Sequence, residues 1–173
     1  FGIQLNRTSG LYDLDEDGRK EVLIINGSDR KALLVELKGE SFSDTLWSYT
    51  LPIGTYFTDV LVIDIDSNGQ PDLVATSKLS IDNKNTGWLY IFKGTTRGFS
   101  NTPLVAGKSG LNIKNIRPLN LSRVKGMPSH ISVSFGTPVG KTMILKPNIS
   151  NDRLTIENVQ TLSDPLIENG FGH

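Results

Sequence analysis

The sequence predicts an all-β protein built from repeated four-stranded units, and three observations carry that reading. Short runs rich in Val, Ile, Leu, Thr and aromatic residues alternate with Gly, Asn and Asp clusters along the 173-residue chain, as strands closed by tight turns do. No stretch sustains a 3.6-residue apolar period with caps, so helix is expected to be nearly absent. The chain also repeats itself. Two acidic loops, starting at Asp13 and Asp64, stand 51 residues apart, and similar strand ends place Lys38, Lys93 and Lys146 at steps of 55 and 53. Sandwich, barrel and propeller all fit such strands. A period near fifty with four strands per unit favours the propeller.

The chain divides into three such units. The first, residues 1–52, gives Glu21–Asn26, a Gly27-Ser-Asp29 turn, Lys31–Leu37, a Lys38-Gly39-Glu40 turn and Thr45–Leu51. The second, 53–108, gives Thr58–Ile63, Leu73–Ser77 and Gly87–Lys93, with Gly94-Thr-Thr-Arg-Gly98 as a turn. The third, 109–173, gives Ile113–Leu119, Ile131–Phe135, Lys141–Lys146 and Leu154–Val159.

The two acidic loops are Asp13-Leu-Asp15-Glu-Asp17-Gly18-Arg19-Lys-Glu21 and Asp64-Ile-Asp66-Ser-Asn68-Gly69-Gln70-Pro-Asp72. Oxygen side chains occupy positions one, three, five and nine, with Gly18 or Gly69 at six, where a left-handed backbone is needed. Hard oxygens converging in one tight loop suit Ca²⁺, which takes six to eight of them in a flexible shell. The expected ligands are Asp13, Asp15, Asp17 and Glu21 in one site and Asp64, Asp66, Asn68 and Asp72 in the other, with the backbone carbonyls of Arg19 and Gln70 at position seven. The bland alternative is a pair of solvated acidic turns. These are not EF-hands: position twelve is Ile24 or Ala75, neither a ligand, and strands rather than helices follow. The matching stretch of the third unit, Leu119 to Pro128, has no carboxylate and carries Arg123 and Lys125, so it is expected to hold no metal. The metal's expected role is structural, neutralising carboxylates that would otherwise repel.

Composition narrows the function. Eighteen basic and eighteen acidic residues cancel, so no overall field favours nucleic acid or anionic lipid. Apolar runs of about four residues fall far short of a membrane span, and no membrane insertion is expected. Cysteine is absent, so disulfides play no part. Sequons at Asn6, Asn26, Asn120 and Asn148 permit a glycoprotein, although about two are expected by chance in such a composition. Millimolar calcium outside the cell would fill weak loops of this kind, which points to an extracellular, cell-surface or secretory setting. Catalysis is not expected. There are only two histidines, His130 and His173, and no cysteine, and no hydrolase, zinc-protease or phosphate-loop motif occurs. His130 is read as a loop histidine. Tyr90 and Phe92 are expected in the core with Trp88, whereas Trp47 and Tyr49 are the candidates for an exposed contact.

With these residues in view, the chain resembles the FG-GAP (integrin-α-type, VCBS-like) repeat family. Phe1-Gly2 precedes the first loop, Phe57 the second, and Gly87-Trp-Leu-Tyr90-Ile-Phe92-Lys-Gly94 is similar to the pattern's tail; Gly170-Phe171-Gly172 looks like another repeat opening. Phe57 is followed by Thr where the pattern has Gly, and Phe1 lies further from its loop than Phe57 does. The resemblance implies four-stranded propeller blades, commonly seven, with calcium on the loop between the first two strands of a blade. Three blades cannot close a ring, so the remaining ones are expected from the same or another chain. It also implies a binding or adhesion scaffold with a protein or glycan partner on its loops. The alternative is the non-catalytic propeller part of a secreted hydrolase such as a phospholipase or polysaccharide-degrading enzyme.

Overall fold

The computed structural model describes residues 7–26, 29–79, 86–108, 113–119, 130–135, 141–151 and 153–163. They form three separate four-stranded antiparallel sheets and one small hairpin, with no helix among the described residues. The first sheet runs in chain order through β1 (Arg7–Tyr12), β2 (Lys20–Asn26), β3 (Lys31–Lys38) and β4 (Ser41–Thr50). The second takes β5 (Thr55–Ile63), β6 (Asp72–Leu79), β7 (Thr86–Phe92) and, after the hairpin β8 (Gly94–Thr95) and β9 (Gly98–Phe99), β10 (Leu104–Lys108). The third holds β11 (Ile113–Leu119), β12 (His130–Phe135), β13 (Lys141–Ser150) and β14 (Arg153–Ser163). The all-β, propeller-like blade architecture expected from the sequence is what the protein adopts.

Period-two alternation explains why the sheets stack. In β6, Leu73 and Ala75 face the first sheet while Val74 faces the third; in β7, Tyr90 and Phe92 face the first and Leu89 and Ile91 the third. Strands buried on both faces read as continuous apolar runs, which is how Leu73–Ala75 and Leu89–Phe92 appear in sequence. Across the first joint lie Leu23, Ile25, Ala32, Leu34 and Trp47; across the second lie Ile116, Ile131, Val133, Met143 and Leu145. The first strands of successive sheets adjoin, β1 with β5 and β5 with β11, and so do outer elements, β4 with β9 and β10 with β14. The sheets therefore fan out in chain order with their first strands innermost.

Each joint has its own lock. At the first, Trp47 meets Phe92 and Phe99 edge-on at 5.2 and 5.3 Å, and Tyr49 meets Phe92 at 4.8 Å. A Cβ at Gly98 would press on Trp47 Cβ at 3.2 Å, so the β8–β9 hairpin closes directly over the tryptophan. Trp47 is 5% exposed, and the expectation of an exposed contact is therefore corrected for Trp47: β4 is a largely exposed outer strand, but the β8–β9 hairpin covers the tryptophan, while Tyr49 is half-buried. At the second joint a β-bulge in β5 between Phe57 and Asp59 re-aims the strand. Asp59 Oδ2 then accepts Ile116 N–H and Arg117 Nη1, both at 3.0 Å, while Oδ1 accepts Val60 N–H at 3.1 Å.

Several elements differ from the sequence reading. β10 was not anticipated, because Leu-Val-Ala-Gly-Lys is too short and too weakly patterned to stand out. β13 continues past Lys146 through Pro147 to Ser150, although proline has no N–H to give the ladder. His130 is the first residue of β12, paired with Leu119, rather than a loop residue. Asn26 is 7% exposed and donates to Asp29 Oδ2 at 2.7 Å, whereas Asn148 is exposed. The third-unit stretch Asn120–Pro128, His173, and the Phe-Gly pairs at both ends lie outside the described residues.

Asp59 yields a direct test. Asp59→Ala leaves the buried Ile116 N–H without its acceptor and should lower stability by about 3 kcal/mol. Arg117→Met, removing a largely exposed partner, should cost about 1 kcal/mol or less. Urea unfolding of both variants checks the order.

Candidate metal centres in the blade loops

Both acidic loops join the first two strands of a sheet, β1 to β2 and β5 to β6, and they share one hydrogen-bond skeleton. The position-two N–H donates to the position-nine carboxylate: Leu14 to Glu21 Oε2 at 2.7 Å, Ile65 to Asp72 Oδ2 at 3.1 Å. The position-six glycine donates back to position one, Gly18 to Asp13 at 3.4 Å and Gly69 to Asp64 at 2.9 Å. Position seven donates to position five, Arg19 to Asp17 at 2.8 Å and Gln70 to Asn68 at 2.7 Å. Backbone torsions match as well: φ is +57° at Glu16 and +63° at Ser67, then +85° at Gly18 and +88° at Gly69. A left-handed residue at position four was not anticipated, since neither Glu nor Ser advertises it.

This skeleton turns carboxylates toward one another. Asp13, Asp15 and Asp17 can bring one oxygen each within 4.8 Å of the others, and so can Asp64, Asp66 and Asp72. A third such group, Asp17, Glu21 and Glu36, draws in a residue of β3 that the sequence reading missed. These clusters could hold a metal ion. Asn68 is exposed at position five of the second loop, its Oδ1 accepting Gln70 N–H.

Burial sets the electrostatics. Glu21 and Asp72 are 1% and 0% exposed. Burial pushes both carboxyls above the ordinary range; accepted backbone N–H bonds oppose this, and neighbouring loop aspartates add to it. Asp72 is held from two sides, because its Oδ1 also accepts Gly94 N–H at 2.8 Å. Gly94 must lack a side chain, since a Cβ there would collide with the Pro71 carbonyl oxygen. In the first loop the side chains of Arg19 and Lys20 add positive charge, Arg19 Nε 3.3 Å from Asp17 and Lys20 Nζ 3.7 Å from Asp13. Beside the second loop, a groove of about 250 Å³ is lined by Ile65, Asp66 and residues Lys146 to Ile149 of β13.

Fan-like antiparallel sheets bearing an acidic loop between their first two strands define a propeller-type repeat with candidate cation sites. Residues 13–75, spanning both loops, match the family model of the FG-GAP-like repeat. No curated protein matches the chain, and no solved structure does.

Two outcomes test the site. Gly94→Ala should destabilise the protein by about 1–3 kcal/mol through overpacking against Pro71, read by thermal melting. In chelator, the raised carboxyls of Glu21 and Asp72 bind their protons more tightly in the native than in the unfolded state. Their stabilising contribution is therefore full below the ordinary carboxylate range, about pH 4, and is lost as pH rises through the raised values. Asp72→Asn should flatten that decline in urea unfolding measured across pH.

Proposed function

We propose that this chain is a calcium-stabilised β-propeller segment of a secreted or cell-surface protein, acting as a binding or adhesion scaffold. One observation carries the reading: two loops of different sequence fold onto the same hydrogen-bond skeleton, which holds acidic side chains at the same places. The donors fit a hard cation, since they are all oxygen. Asp13, Asp15, Asp17, Glu21 and the Arg19 carbonyl would hold one Ca²⁺. Asp64, Asp66, Asn68, Asp72 and the Gln70 carbonyl would hold the other. When bound, the ion neutralises carboxylates that burial and mutual repulsion oppose.

The chain's own residues couple such an ion to the fold. Asp72, the first residue of β6, joins the second loop at Ile65 to the start of β8 at Gly94, so ordering the loop orders two strands. Glu21 anchors the first loop to β2 through Leu14. The partner, a protein or glycan, would meet the scaffold at its loops, where the groove beside Asp66 offers a concave surface. Among the described residues no helix is long and apolar enough to cross a membrane. The FG-GAP-like match supports an extracellular setting.

Calorimetric titration with calcium should give two binding events. At 100-fold excess over the dissociation constant, each contributes about 2.7 kcal/mol, so calcium should raise the melting temperature by roughly 5 °C or more over the chelated protein. Absence of binding, or identical melting with calcium and with chelator, defeats the reading.

A further inference from the structure

We infer that Glu36, which lies outside the loop on β3, is a ligand of the first cation, completing a position with Asp17 and Glu21. This inference rests on the calcium reading of the first loop and adds a residue that the loop motif does not contain. Glu21 and Glu36 are directly opposed across the β2–β3 ladder, and they are 1% and 6% exposed. Like charges placed opposite each other in a sheet destabilise it, and burial makes the repulsion worse unless a cation lies between them.

Two independent observations place that cation. The carboxylates of Asp17, Glu21 and Glu36 can each bring one oxygen within 4.8 Å of the others. Oxygens that share one Ca²⁺ at about 2.4 Å lie no more than about 5 Å apart. Separately, Glu21 Oε1 is fully buried and, among the described residues, has no hydrogen-bond partner, whereas its Oε2 is taken by Leu14 N–H. A buried carboxylate oxygen left in this way is strongly disfavoured, and a bound ion satisfies it. The second loop differs: there both oxygens of Asp72 accept backbone N–H groups.

Arg19 is the competitor at this position. Its Nη1 donates to both oxygens of Glu36, at 2.8 and 3.0 Å, and its Nε lies 3.3 Å from Asp17 Oδ2. The Arg19 side chain is 60% exposed, so it can swing into water as the ion takes its place. Its backbone carbonyl stays at position seven of the loop.

Calcium titration of the full chain by calorimetry tests this, with Asp64→Asn used to silence the second loop and so assign the first event. Glu36→Gln should weaken the first event by about tenfold or more and leave the second unchanged, which also shows that the variant is folded. Arg19→Met should tighten the first event, because the competing guanidinium is gone. An unchanged first event in Glu36→Gln overturns the inference. So does a weakening in Arg19→Met, which would mean that Glu36 acts only by anchoring Arg19. Should Glu36→Gln fail to fold, Arg19→Met decides: tightening supports ligation, and no change overturns it. Failure of the calcium reading itself looks different, since the wild-type protein would then bind no calcium at either loop.

Discussion

A buried carboxylate at the ninth loop position is the constraint on which both candidate centres depend. Glu21 and Asp72 lie at the start of the second strand of their sheets, second and first residue respectively, inside the fold, yet each must face the loop. An unpaired charge in that setting is disfavoured by several kcal/mol. The chain answers with backbone N–H groups, one for Glu21 and two for Asp72. Those bonds in turn dictate the loop path: the position-two amide must point inward, the chain must turn left-handed at positions four and six, and the remaining side-chain oxygens then converge. The loop's shape thus follows from where its last acid is buried.

Much of this was legible in the sequence, because the relevant information is local. Ligand types, their spacing and the glycine at position six all lie within nine residues, and backbone geometry joins them without help from elsewhere. The apolar runs of β6 and β7 likewise declare strands covered on both faces. What escaped was set by long-range register. Glu36 reaches the first loop only because β3 pairs with β2 so that it opposes Glu21. Nothing in Leu-Val-Glu-Leu distinguishes that acid from a solvated one. Trp47 lies on an outer strand, where sequence suggests exposure, but its cover, Gly98 and Phe99, arrives with the β8–β9 hairpin of the next unit.

Register also refines the internal repeat. Val22 pairs with Val35, and Leu73 with Phe92; since Glu21 and Asp72 immediately precede Val22 and Leu73, Val35 corresponds to Phe92 and Leu37 to Gly94. The lysines that suggest the period, Lys38 and Lys93, are therefore offset by two residues in the folded units. Similar strand ends revealed the repetition, while the ladder defines the correspondence. The glycine at Gly94 has a physical reason in the second unit, the approach of Pro71, and Leu37 shows that the first unit is built differently there.

The stacking order has a consequence for how the units share stability. Strand ladders run within sheets, and among the described residues the sheets meet through side chains, by apolar interdigitation and the Asp59 contacts. Such an array behaves as a one-dimensional chain of nearest neighbours, in which each unit stands by its own stability and its two interfaces. The middle sheet contributes to both described interfaces and the first sheet to one. An event at the second loop is therefore felt on two sides, through Tyr90 and Phe92 toward one neighbour and Leu89 and Ile91 toward the other. The two loops, alike in bonding, are unequal in reach: the second lies at the node of the array and the first on one of its branches.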